Sequence, residues 1–155
     1  MLLMLLALTT ALLESPIAAL AFWRRNGYLY VLGVSALVNL LTNLLLNAVL
    51  LPRMAAVPLG ALWDGWFVLL LGELVLAYGG EGLLYSLLTE GVTPGRGLLV
   101  SALSNTVSLG LGLGLRALLG TGEAELTLGF AVLCGIAAVF WLVCLAWGIR
   151  LERNR

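Results

Sequence analysis

Two glutamates, Glu14 and Glu81, lie inside long apolar stretches of the sequence. Each precedes an asparagine by nearly the same distance, because Asn39 follows Glu14 by 25 residues and Asn105 follows Glu81 by 24. A charged side chain at the centre of a bilayer costs about 2–3 kcal/mol or more by insertion scales, so such residues are candidates for function by default. Two neighbouring carboxyl groups in low dielectric cannot both ionise easily and would share a proton. That arrangement suits proton-coupled transport.

Other polar residues extend this predicted site. Asn43 lies four residues after Asn39, and steps of four keep side chains on one stripe of a helix. We therefore interpret the asparagines of this segment as lining a site or cavity, whereas the serines of the chain are interpreted mainly as helix–helix contacts. Tyr85, four residues after Glu81, could either hydrogen-bond its carboxylate or lie at the membrane interface.

A third glutamate, Glu73, precedes Glu81 by eight residues in the same apolar segment. Arg116 is expected at a comparable membrane level and is the natural charge partner of Glu73. The chain has no histidine, which removes histidine-based metal sites and general bases. Glu14, Glu73 and Glu81 together could hold only a hard cation that prefers oxygen ligands. We predict no metal centre and no cofactor.

The predicted helices are weak beside both glutamates. Pro16 lies two residues after Glu14, and it lacks the N–H that a helix requires. Glycines surround Glu81 in the segment 79–82 and loosen that turn. Backbone carbonyls that lose their helical hydrogen-bond donor in this way are typical of a cation or proton site. They are equally typical of helix bends that serve only packing.

The composition defines the class of fold. Of 155 residues, 62% are hydrophobic and 10% are charged, and the mean hydropathy is +1.10. A bilayer core near 30 Å thick requires about 20 apolar residues in a helix. We predict an all-α polytopic membrane protein that forms a single domain, with five transmembrane helices at about 1–22, 29–51, 61–88, 98–119 and 126–149. The lipid bilayer is its predicted partner, and the zero net charge gives no reason to expect nucleic acid.

A short repeated phrase suggests that part of the chain is duplicated. Val-Ser-Ala-Leu-x-Asn occurs at 34–39 and again at 100–105, at matching helical depth. We therefore predict two parallel helical-hairpin repeats, at about 1–51 and 61–119, followed by one extra span. A chance match in a chain so rich in leucine, alanine and valine is the alternative.

The arginines predict the orientation, because basic loops remain on the cytoplasmic side. Two arginines, Arg53 and Arg116, fall at one end of the predicted spans. Six fall at the other end: Arg24, Arg25, Arg96, Arg150, Arg153 and Arg155. We predict a bacterial inner (plasma) membrane protein with its N-terminus outside and its C-terminus in the cytoplasm.

Three motifs carry a resemblance to known proteins: Glu14-Ser15-Pro16, Asn39-Leu-Leu-Thr-Asn43 and Glu81-Gly-x-x-Tyr85. This pattern resembles that of small uncharacterised bacterial multi-pass membrane proteins. In those proteins proline often follows the asparagine motif, whereas Leu44 follows it here. The resemblance covers the first four spans. It implies that these positions form one constellation, and it brings no activity with it.

The leading hypothesis is a small permease-like or transport-associated protein with an intramembrane Glu/Asn site for a cation, a proton or a small polar substrate. An intramembrane enzyme that uses the paired glutamates is a second hypothesis, so enzymatic activity is left open. A structural or assembly subunit of a membrane complex is the third, and either a homo-oligomer or a larger complex would fit it.

Overall fold

A computed structural model describes residues 2–50, 52, 71–120 and 122–154, and every regular element within these ranges is a helix. In chain order they are α1 (Leu2–Asn26), α2 (Tyr28–Leu44), a π-helical extension of α2 (Leu45–Leu50), a second π-helical segment (Glu73–Gly80), α3 (Glu81–Leu88), α4 (Pro94–Leu119) and α5 (Glu123–Arg153). The π-helical segment before α3 runs into it without a break.

The predicted all-α polytopic fold is confirmed. Within the described ranges, four helices are long and apolar enough to cross a membrane, at Met4–Asn26, Tyr28–Leu50, Pro94–Leu119 and Ala124–Arg153, and a shorter apolar helix covers Leu74–Leu88. The beginning of the third predicted span, about 61–70, and the preceding loop with Arg53 lie outside the described residues.

Two helices extend further than the apolar runs indicated. α1 continues through Pro16 to Asn26, because the loss of one N–H is tolerated where other helices cover the backbone. α5 has 31 residues and is therefore about 46 Å long at 1.5 Å per residue. This exceeds the thickness of the hydrocarbon core, so α5 is longer than one straight crossing requires.

The distribution of side chains is the reverse of that in a water-soluble bundle. Large apolar residues face outward, and Leu118 and Leu87 are 84% and 79% exposed. Polar residues occupy the interior, where Glu14, Asn39 and Glu81 are completely buried. Lipid tails solvate leucine as well as a protein core does, so this distribution is expected of a bundle embedded in a membrane.

The C-terminal end of α5 packs against the turn between α1 and α2. Gly27 makes this turn with a φ of 83°, which a residue with a Cβ rarely adopts. The Glu152 carboxylate accepts a hydrogen bond from the backbone N–H of Leu29 at 2.9 Å, in the first turn of α2. Earlier in α5, Trp141 Nε1 donates to Ser15 Oγ at 2.9 Å. These contacts hold α5 against the helix that carries Glu14.

Two glycines let α3 and α4 approach closely beside Glu81. A Cβ on Gly97 would collide with the backbone carbonyl of Gly82, and a Cβ on Gly82 would collide with the backbone of Leu98. The Thr93 side chain caps α4, and Pro94 occupies its first turn, where the missing N–H is not needed. The close approach brings the polar face of α4 against the start of α3.

This contact predicts that Gly97→Ala destabilises the bundle. The added methyl meets main-chain atoms that cannot move aside, so we expect the free energy of unfolding to fall by about 1–3 kcal/mol. Gly110→Ala is the matched control in the same helix, because nothing lies within 4 Å of its Cβ position. It should be neutral or stabilising by up to about 1 kcal/mol, through helix propensity alone. Unfolding in mixed detergent micelles measures both, and equal effects would contradict the predicted contact.

Candidate functional site

Glu81 lies at the junction between the π-helical segment and α3, and its side chain is completely buried. Its backbone N–H bonds to the carbonyl of Leu76, five residues back. A change from five-residue to four-residue hydrogen bonding skips one carbonyl. The Ser101 hydroxyl donates to the next carbonyl, that of Ala77, at 2.8 Å. α4 therefore supports the irregular backbone directly beneath Glu81, and such π-helical turns are frequent at functional sites.

The Glu81 carboxyl group is bound by side chains from α2 and α4. From α4, Asn105 Nδ2 donates to Oε2 at 2.8 Å, and the Ser101 hydroxyl lies 3.5 Å from the same oxygen. From α2, the Thr42 hydroxyl bonds to Oε1. The Asn39 carboxamide is oriented so that both of its terminal atoms are satisfied, and its Nδ2 then donates to Oε2 at 2.9 Å. Neutral donors from two helices thus surround one buried carboxyl group.

Tyr85 forms an outer layer of this network. It is completely buried, one turn after Glu81, and its hydroxyl lies 3.1 Å from the Asn39 side chain and 3.0 Å from Ser35 Oγ. Of the two predicted places for Tyr85, the interface is therefore not the one observed. Tyr85 orients the carboxamide that in turn binds Glu81.

Glu14 reaches the same face of α4 one turn further along. It is completely buried, and its carboxyl group is hydrogen-bonded by the Ser108 hydroxyl. Ser108 lies three residues after Asn105, and its hydroxyl is also 3.1 Å from the Asn105 carbonyl. Consecutive turns of α4 thus bind Glu81 and Glu14, which brings the two predicted glutamates to one polar face.

The network lies at the mid-length of the long helices. Glu14 is the central residue of Leu2–Asn26, and Asn39 is the central residue of the span Tyr28–Leu50. Asn105 lies close to the middle of α4. In a membrane that these helices cross, both carboxyl groups are therefore far from bulk water on either side.

Three hydroxyls of the network can act either as donors or as acceptors toward the glutamates. The Thr42 hydroxyl has one proton but lies near both Glu81 and the Val38 carbonyl, which is 2.9 Å away. Ser101 and Ser108 have the same choice between a carboxyl group and a backbone carbonyl. A hydroxyl that turns to its carbonyl can accept a hydrogen bond from a protonated glutamate. The site therefore has hydrogen-bonding partners for either protonation state.

A cavity of about 270 Å³ adjoins this network. Asn105 and Ser108, the residues that bind the two glutamates, form part of its wall. Asn43 of α2, Asn47 of its π-helical extension and Arg116 of α4 also line it. At about 30 Å³ per water, the cavity could hold several waters or a small polar molecule.

The other predicted residues are placed as follows. Asn43 is buried and lines the cavity, and its backbone carbonyl accepts a hydrogen bond from Asn47 Nδ2 at 3.0 Å. The backbone of Glu73 begins the second π-helical segment, but its side chain lies outside the described part of the structure, so its pairing with Arg116 stays a prediction. The sequence spacing pairs Asn39 with Glu14, whereas in the structure the Asn39 side chain binds Glu81.

Three residues of the observed network are not part of the site that the sequence predicts: Thr42, Ser101 and Ser108. The signal was present in the spacing. Thr42 continues the stripe of Ser35 and Asn39, and both serines flank Asn105 at helical intervals. Hydroxyls also serve commonly as contacts between membrane helices, and spacing alone does not distinguish the two uses.

The described residues contain no group of three histidine, cysteine, aspartate or glutamate side chains that could hold a metal ion. The described side chains of the site are carboxyl groups, carboxamides and hydroxyls. These can bind a proton, a cation or polar groups of a small molecule.

The fold and this buried network together define a class: a polytopic helical membrane protein with a carboxyl-centred polar site inside its bundle. No protein-family model matches the chain, and neither a curated protein nor a solved structure shows significant similarity to it.

Proposed function

We propose that the protein is a small permease-like or transport-associated protein whose Glu81 site takes up a proton, a cation or a small polar substrate from the adjoining cavity. The observation that carries this proposal is the set of donors from α2 and α4 around a completely buried Glu81 at the mid-length of the helices. Buried ionisable networks seldom add net stability over apolar packing. Ionisable residues at this depth instead mark ion or substrate paths.

The hydrogen-bonding geometry favours a proton as the ion. When Glu81 carries a proton, the Thr42 hydroxyl can turn to the Val38 carbonyl and accept from the carboxyl group. Alternatively, when the proton is on the other carboxyl oxygen, the Asn39 carboxamide can turn over, so that its Oδ1 accepts from Glu81 and from the Tyr85 hydroxyl. Uptake and release of a proton then require only rotations of side chains around Glu81.

The cavity provides a route toward the end of the bundle where Arg116 lies. Asn43 lies near the end of α2, and Asn47 lies one turn later in its π-helical extension. These two side chains continue the polar lining of the cavity away from the Glu81 site. Arg116 is eleven residues beyond Asn105 in α4, or about 16 Å along the helix. We assign this side of the site to entry or exit of the transported species.

The proposed location is a bacterial inner membrane, with the N-terminus outside and the C-terminus in the cytoplasm. Contacts of Arg96 with the Ala21 carbonyl and of Glu152 with Leu29 bring three arginine-bearing helix ends to one end of the bundle. Five described arginines share this end: Arg24, Arg25, Arg96, Arg150 and Arg153. Arg116 lies in the last turn of α4, toward the other end. This asymmetry supports a cytoplasmic C-terminus.

Reconstituted liposomes test the proposal. A potassium gradient with valinomycin sets the membrane potential, and a trapped pH-sensitive dye reports proton flux. Sodium flux is measured in parallel, and potassium flux is measured in separate liposomes without valinomycin. We expect proton flux above that of protein-free liposomes, and we expect Glu81→Gln to reduce it to their level, because a carboxamide cannot exchange a proton. Glu14→Gln should also lower the proton flux.

Glu125→Gln is the matched control for these variants, because Glu125 is exposed at the start of α5 and lies outside the network. Its flux should equal that of the unmodified protein. Undiminished flux in folded Glu81→Gln would contradict the proposed site. An assembly subunit would be favoured instead if the unmodified protein showed no proton or cation flux and the glutamate variants changed in oligomer size.

A further inference from the structure

A concave cluster of arginines lies at the end of the bundle where α1 finishes and α4 begins. A cavity of about 450 Å³ is lined by Arg24, Arg25 and Arg96 together with Glu90, which leaves a formal excess of two positive charges. Arg96 is nine residues from Asn105 along α4, or about 13 Å. The arginine cavity is therefore separate from the Glu81 site.

The walls of this cavity are held in place by specific contacts. Arg96 Nη2 donates to the Ala21 carbonyl at 2.8 Å, and its guanidinium group lies 5.6 Å from the centre of the Phe22 ring. Asn26 exchanges two hydrogen bonds with the Glu90 backbone, one from Nδ2 to the carbonyl at 3.1 Å and one from the N–H to Oδ1 at 2.7 Å. The turn after α3 is thus attached to the end of α1, and the basic residues are presented together before any ligand binds.

Gly91 explains how the turn can lie so close to the arginines. Its φ of 69° is strained for a residue with a Cβ, and a Cβ at this position would collide with the Arg25 side chain. The backbone therefore packs directly against Arg25 and shapes the cavity.

The chemistry of the walls identifies the ligand class. Guanidinium groups bind phosphate oxygens through paired N–H donors, which favours arginine over lysine at such sites. Trp23 and Leu20 also line the cavity, and Leu20 is 47% exposed on the outer surface of α1. An amphipathic ring at a helix end is typical of the membrane–water interface. These walls suit a ligand that carries a phosphate beside an apolar body.

We propose that this cavity binds the headgroup phosphate of an anionic phospholipid, whose acyl chains lie along α1 past Leu20. Basic pockets between membrane helices bind such headgroups. The bound lipid joins the end of α1 to the start of α4, the two helices that carry Glu14 and Asn105. This inference does not depend on the proposed transport function.

Native mass spectrometry of the purified protein in detergent tests the proposal. The probes are dioleoyl phosphatidylglycerol, phosphatidylcholine with the same chains, and glycerol 3-phosphate as a soluble phosphate. The unmodified protein should retain phosphatidylglycerol in preference to both others. Arg25→Gln with Arg96→Gln should weaken its retention about twenty-five-fold, because each arginine near an anionic lipid contributes about fivefold.

Arg150→Gln with Arg153→Gln is the matched control, since both residues are exposed at the same end of the bundle and lie outside the cavity. This pair should retain the lipid almost fully. An equal loss in both pairs would overturn the proposal in favour of diffuse charge attraction. Binding of glycerol 3-phosphate as tight as that of the lipid would overturn the lipid assignment in favour of a soluble phosphate compound. Where the cavity pair does not fold, Arg25→Gln alone is measured, and a loss of about fivefold is expected.

Discussion

Replacement of Asn105 by leucine is expected to lower the free energy of unfolding by about 2–3 kcal/mol, because a buried carboxyl group then loses a hydrogen-bond donor. Asn105 Nδ2 bonds to Glu81 Oε2 at 2.8 Å, and both side chains are buried. Leucine has nearly the same shape as asparagine, so little of the loss comes from packing. Reversible unfolding in mixed micelles with increasing dodecyl sulfate measures the effect.

A double-mutant cycle separates the hydrogen bond from packing. Glu81→Met alone leaves the donors of Asn39, Thr42 and Asn105 without their acceptor, and it should also destabilise the bundle. The combined Asn105→Leu and Glu81→Met variant removes both partners. Its loss in free energy of unfolding should be smaller than the sum of the two single losses by about 1 kcal/mol or more.

Ser104→Ala is the control for this cycle in the same helix, because the buried Ser104 hydroxyl donates to the Ser101 carbonyl of its own helix at 3.1 Å. Its effect should be below about 1 kcal/mol and additive with Glu81→Met. Strict additivity of Asn105→Leu with Glu81→Met would contradict the convergence on Glu81.

Replacement of Gly112 by phenylalanine is expected to block flux without loss of the fold. Gly112 lines the 270 Å³ cavity, and a Cβ on it would meet only Phe130 at an ordinary contact distance of 3.9 Å. The new ring therefore extends into open space beside Asn105 and Ser108. We expect proton flux in liposomes to fall about tenfold or more, because the remaining volume cannot hold the waters or substrate that reach the site.

Gly110→Phe is the matched control on the same helix, because nothing lies within 4 Å of its Cβ position and Gly110 does not line the cavity. Its flux should be unchanged. Equal flux in the Gly112 and Gly110 variants would show that the cavity is not the route to Glu81.

The predicted site and the observed network overlap because the cost of burial belongs to each residue separately. Four polar residues stand out in an apolar sequence whatever their neighbours are: Glu14, Glu81, Asn39 and Asn105. In the structure both asparagines bind Glu81, and Ser108 links Glu14 to Asn105. Their partners were harder to predict. Spacing within each hairpin indicates membrane depth, but it does not show which helix faces which, and so Asn39 was grouped with Glu14 although it binds Glu81.

The hydroxyl partners and the basic cavity illustrate the same difficulty. Thr42, Ser101 and Ser108 carry no charge, so they have no large burial cost to single them out. The arginines at one end were predicted from their number alone. Their common cavity depends on the bonds between Asn26 and the Glu90 backbone, 64 residues apart in sequence.

The sequence by itself determined that this protein is an all-α membrane bundle and that a small number of costly polar residues lie inside it, because run length and burial cost are local properties of a chain. The tertiary structure decided that both asparagines meet at Glu81, that Ser108 joins Glu14 to the same face of α4, and that a cavity opens beside them. These features arise from the close approach of α3 and α4 at Gly82 and Gly97 and from the packing of α1 and α2 against them. Such contacts join residues far apart in sequence, and only the packed helices define them.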